Sequence, residues 1–142
     1  MIKDTIVINR PIEAVFAYAA KFDRHPEWQD SLKAATLEGP PAVGVKGTES
    51  RQMGRSVQTY DWRISEFDPP NRIGFETLSG PMRPVGSTTF TAEGDATRLD
   101  FEMEMNPRGF MKLLSPMISR QVQRGVTADH VKLKELLESG TS

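Results

Sequence analysis

Two imidazoles are the first place to look for chemistry in this chain, because it has no cysteine and only two histidines, His25 and His130. His25 sits in FDRHPEWQD (22–30), with Asp23, Glu27 and Asp30 close in sequence and Trp28 three residues on. A histidine with a carboxylate in reach is a common proton-transfer pair. Neighbouring residues in a turn point in different directions, however, so the stretch reads more readily as a structural corner anchored by Trp28. Tyr60 is a second side chain that could serve as acid or base. His130 is expected to be partly buried or a surface polar residue, and nothing in the sequence pairs it with His25.

Other chemistries find little support. Without cysteine there is no disulfide framework, thiol nucleophile or thiolate metal site. The histidines lack ligand spacing, so neither a metal nor a cofactor is expected. Eighteen Lys and Arg face nineteen Asp and Glu, a net charge of −1. That balance lacks the basic excess of a nucleic-acid binder. No apolar run reaches secretory or membrane-spanning length, and a soluble cytoplasmic protein is the simplest reading.

The elements that must position these residues can be read from periodicity. With 142 residues, 37% hydrophobic and 26% charged, the chain suits one globular domain over 1–142. Ile2, Ile6 and Ile8 alternate with polar residues as in a half-buried strand. Pro11 and Glu13 then open a helix over about 11–21, with Val15, Phe16, Ala19 and Ala20 as its apolar stripe. Asp23 is placed to cap a second, very short helix through HPEW. LKAATLEGPPAVGVKG reads as a strand and a turn, and from Thr48 to Met105 turn clusters at 53–55, 68–71, 79–86 and 93–97 separate antiparallel strands. After Pro107 the period becomes helical to about Glu138. Pro116 must bend or restart that helix.

IVINRPIEAVFAYAAKFDRHPEW, WRISEFDPPNRIGFET and the C-terminal VKLKELLE, in that order, resemble the START-like (SRPBCC) superfamily. It includes polyketide cyclases, lipid-transfer proteins and birch-pollen-allergen-like proteins. The resemblance implies an α+β helix-grip fold: a curved antiparallel sheet of about seven strands wrapped around a long C-terminal helix, with two short helices after strand one. It also implies that the PEW segment closes the mouth of a cavity with Trp28 turned inward.

Strand parity then selects the lining, since alternate side chains share a face. Gln58, Tyr60 and Trp62 fall with Ile64; Ile73 with Phe75 and Thr77; Gly86 with Thr88 and Phe90; and Phe101 with Met103 and Met105. Phe110 and Met117 of the helix complete the set. Glu49 and Arg51 remain ambiguous in facing, and Arg83 is expected at the rim. An apolar wall with few polar handles suits a flat or lipidic small molecule. A dry pocket of about 300 Å³ would cost roughly 7 kcal/mol at about 24 cal/mol per Å³, so such a space should be wetted, filled or partly collapsed.

Binding or transport of a small hydrophobic molecule is therefore the leading expectation. The alternative is a polyketide cyclase, aromatase or dehydratase using the same cavity, and a protein-interaction module is a third. Six basic residues on the last helix (Arg108, Lys112, Arg120, Arg124, Lys132, Lys134) face Asp129, Glu135 and Glu138. This makes peripheral membrane contact a lesser expectation. Oligomeric state is left open.

Overall fold

The computed structural model describes residues 1–142. Its elements run β1 (Ile2–Ile8), α1 (Ile12–Ala19), a 3-10 turn (Phe22–Glu27), β2 (Leu32–Leu37), β3 (Lys46–Met53), β4 (Ser56–Asp68), β5 (Arg72–Thr77), β6 (Val85–Glu93), β7 (Ala96–Glu104) and α2 (Met111–Glu138). All seven strands form one antiparallel sheet in the order β1-β7-β6-β5-β4-β3-β2. This is the helix-grip fold.

Alternation fixes which face of the sheet is buried. Ile64, Ile73, Phe90 and Leu99 meet Phe16 and Tyr18 of α1 and Leu133 and Leu137 of α2 in one apolar cluster. Phe16 packs edge-on against Phe90 at 5.2 Å, an arrangement favoured by the ring quadrupoles. The register shifts between Ile64 and Glu66, which places Phe67 opposite Ile73 and turns it toward Phe16.

Edge strand β1 would expose unpaired backbone groups, and α2 supplies their partners. Lys3 N–H donates to Gln123 Oε1, and the Gln123 amide donates to Lys3 O. Lys134 Nζ donates to Val7 O at 2.6 Å, and Asn9 N–H to Glu138 Oε2 at 2.8 Å. The helix is thus tied to the sheet from Gln123 to its C-terminus. Its only buried residues, His130, Leu133 and Leu137, lie in that half.

Two local expectations change. Asp23 makes no capping hydrogen bond; it lies inside the 3-10 turn, whose preceding residue is Lys21. Pro116 neither breaks nor restarts α2, which runs through it. Proline removes the N–H that would serve the Lys112 carbonyl, and the Ser115 hydroxyl donates to that carbonyl instead, at 2.9 Å.

Candidate functional site

Between the concave face of the sheet, the 3-10 turn and the middle of α2, from Ile118 to Leu133, lies a cavity of about 510 Å³. Parity delivers its floor: Tyr60 and Trp62 from β4, Ile73, Phe75 and Thr77 from β5, Thr88 and Phe90 from β6, Leu99, Phe101 and Met103 from β7, then Met105. Trp28 comes from the segment after the 3-10 turn, and Ile118, Val122 and Val126 from α2 form the roof. Gly86 is inward as well, and its missing side chain makes room. A Cβ there would stand 2.8 Å from the Phe75 ring and 2.7 Å from the Glu102 carbonyl oxygen.

Three expected lining residues lie elsewhere. Phe110 and Met117 are 72% and 64% exposed, because the first half of α2 offers the sheet a different stripe, through Ile118 and Val122. Gln58 shares the inward parity but lies near the tip of the β3–β4 hairpin, exposed and outside the cavity lining, where its side chain accepts a 2.8 Å hydrogen bond from the Tyr60 hydroxyl. Arg83 borders a neighbouring depression of about 190 Å³ with Glu76 and Arg108; Thr77 lines both spaces, and Met82 and Pro84 on either side of Arg83 line the cavity.

Cross-strand register settles Glu49 and Arg51: they stand opposite Tyr60 and Gln58, and both line the cavity. The Arg51 guanidinium donates to Glu49 at 2.9 Å, to Ser31 Oγ at 2.9 Å and to Gln29 Oε1 at 2.7 Å. Asp129 lines the same end, its carboxyl pushed up by burial. Burial also raises the Tyr60 hydroxyl, whose ring lies across Gly80. The cavity is therefore polar at one end and apolar along most of its wall. Two buried donors, the indole N–H groups of Trp28 and Trp62, have no partner. No three His, Asp or Glu side chains converge as metal ligands would.

The histidines have different surroundings. His25 lines the cavity, but a carbonyl can only accept, so its 2.7 Å contact with Ala19 O puts the proton on Nε2. Nδ1 then accepts from the Gln29 amide at 3.3 Å. With its ring enclosed between Phe22 and Trp28, burial pushes its pKa down to about 4, and nearby Arg51 adds to the effect. Both nitrogens are occupied and the ring is neutral. The nearby carboxylate serves another purpose: Glu27 accepts from Tyr18 at 2.6 Å and from Arg24 at 3.0 Å, joining α1 to the 3-10 turn.

His130 is 4% exposed and lines the cavity against Trp28 and Phe101. Its Nδ1 meets Asp4 Oδ2 at 2.6 Å, and Asp4 also accepts from Thr127. Nε2 has no hydrogen-bond partner, yet it is not sealed off as the two indole nitrogens are, so its free edge opens on the cavity. Sequence reading missed this pair, whose members are separated by 126 positions. The available signal was weak: Asp4 interrupts the apolar alternation of β1.

The sequence matches, over residues 2–138, the family described as polyketide cyclase / dehydrase and lipid transport. The chain belongs to that family. Solved structures with the same fold include TTHA0849 from Thermus thermophilus, with a TM-score of 0.84, 18% identity and 99% of each chain covered. A START superfamily protein from Mycobacterium smegmatis gives 0.82 at 12% identity, over 99% of this chain and 98% of that one. The Zhui aromatase/cyclase from Streptomyces sp. R1128 gives 0.79 at 12% identity, with the same coverage. No curated protein sequence matches the chain.

For this polyketide cyclase / dehydrase and lipid transport family member, cavity size carries energetic weight. An empty 510 Å³ space would cost about 12 kcal/mol at roughly 24 cal/mol per Å³. A typical domain's whole net stability is about 5–15 kcal/mol. Water at the polar end or a guest along the apolar wall relieves that cost.

Proposed function

We propose that the protein binds, and carries, a small and mostly apolar molecule that ends in neutral oxygen groups such as ketones or hydroxyls. The cavity carries this reading, since a wall of aromatic, methionine and aliphatic side chains leads to one hydrogen-bonding end. Charge there favours a neutral head. Arg51 is already paired with Glu49, and Asp129 adds a second carboxyl, so a carboxylate or phosphate would meet surplus negative charge. Apolar burial supplies the affinity, at about 25 cal/mol per Å² removed from water.

Mass spectrometry of gently purified protein, with titration of a hydrophobic fluorescent probe, tests the reading. A co-purified neutral molecule, or probe uptake weakened by Phe101→Arg, is the expected result. No ligand and no uptake would overturn it.

A second reading, proton transfer on the bound guest, is favoured by the Asp4–His130 pair. Asp4 orients the ring through Nδ1 and leaves Nε2 directed at the cavity, the arrangement a general base requires. Ring opening of 5-nitrobenzisoxazole is a suitable probe, because a base removes the proton on C3 of the isoxazole ring, the C3–N bond becomes a nitrile and the N–O bond breaks to leave a phenolate. Turnover above the buffer rate, lost in His130→Gln, would support this reading. Turnover that ignores His130 would dismiss it.

A further inference from the structure

The first half of α2 has two apolar stripes, and only one faces the cavity. On the other, Phe110, Leu113, Leu114 and Met117 occupy the i, i+3, i+4 and i+7 positions of one helical face and project into solvent, with Leu113 83% exposed. Arg120 and Arg124, both exposed, continue the same stripe. From Pro107 to Ala128 there is no acidic residue, although the chain as a whole has a net charge of −1. Apolar and cationic side chains are thus concentrated together on one outer face.

We infer that this face docks on an anionic lipid surface beside the mouth of the cavity. A helix lying at a bilayer interface inserts Phe and Leu side chains and places Lys and Arg among the anionic headgroups. The long stems of Arg120 and Arg124 can lie along the apolar boundary while their charges reach those headgroups. A second copy of the chain is a poorer occupant, since a two-fold contact would bury both copies' arginines on this face with no acidic residue between Pro107 and Ala128 to pair them. The position is also apt. Gln121 and Gly125 of the same helix, with Met53 and Gly54 at the β3–β4 hairpin tip, border the cavity, so a docked helix would bring its mouth close to lipid.

Docking is independent of cavity occupancy and is read separately from ligand uptake. Flotation of the full chain with vesicles of phosphatidylcholine, and of phosphatidylcholine mixed with an equal amount of phosphatidylglycerol, provides the test. Binding to the anionic vesicles is expected to be at least about tenfold tighter and to weaken with salt. Leu113→Asp and the double variant Arg120→Glu/Arg124→Glu should each weaken it by about tenfold or more with unchanged circular dichroism. Val43→Asp, at an exposed site in the β2–β3 loop, should bind like the parent. Equal binding to both vesicle types, no binding, insensitivity to the helix variants, or a self-association that depends on Leu113 would each overturn the inference.

Discussion

The corner around His25 and the β1–α2 junction around His130 both present an imidazole to the same cavity, and they differ in what holds the second ring nitrogen. At the corner, Ala19 and Gln29 occupy both nitrogens, leaving a neutral packing residue. At the junction, Asp4 takes one nitrogen and the other remains free. Residue type and local motif draw attention to His25, since FDRHPEWQD has carboxylates on every side, but its ring is committed to the Ala19 carbonyl and the Gln29 amide. The carboxylate that matters at the other site comes from the far end of the chain.

This contrast can be broken most decisively by kinetics. His130→Gln should reduce benzisoxazole turnover by about 100-fold or more, whereas His25→Phe should leave it within about threefold; the reverse order would exchange the two roles. The next largest effect concerns pH. The native His25 ring resists protonation down to about pH 4 while the unfolded ring takes a proton near 6.5. Between those values the unfolded state binds more protons, so stability falls as pH drops from 6.5 toward 4, by about 3 kcal/mol in all. Denaturant melts across that window should show the slope, and His25→Phe should flatten it.

Asp4→Ala should cost about 2 kcal/mol by leaving a buried imidazole nitrogen without its partner, measured by urea unfolding; a loss much below 1 kcal/mol would mean that water replaces the carboxylate. The smallest effect belongs to Gln29→Leu, which removes the long hydrogen bond to His25 and one of the bonds to Arg51. It should cost about 1 kcal/mol and leave the pH slope in place.

Period-two patterning made most of the cavity floor legible, because a strand residue's face follows from its neighbours until a bulge intervenes. Tyr60, Phe75, Thr88 and Met103 all follow that rule. Gln58 obeys the parity, yet it is exposed and its side-chain oxygen is taken up by the Tyr60 hydroxyl. Phe110 and Met117 have the periodicity of core residues, and periodicity does not say which of two apolar stripes meets the sheet. Glu49 and Arg51 needed the register of β3 on β4, and His130 needed Asp4, both of which arise from pairing distant in sequence. Local pattern gave the elements and their faces, while pairing set the polar chemistry.

The roof is a beam held firmly at one end. It is clamped along β1 from Gln123 onward, and its arm from Met111 to Gln123, roughly 18 Å long at about 1.5 Å of rise per residue, is tethered at the far end through the preceding segment, where Asn106 N–H donates to Met82 O and Arg108 N–H to Pro81 O. A tilt of roughly 10° at the clamp would move the tip by about 3 Å given that rise, a displacement on the scale of a methylene's width. The aperture is therefore geared to small motions where helix meets edge strand, and the Asp4–His130 link lies on the clamped side.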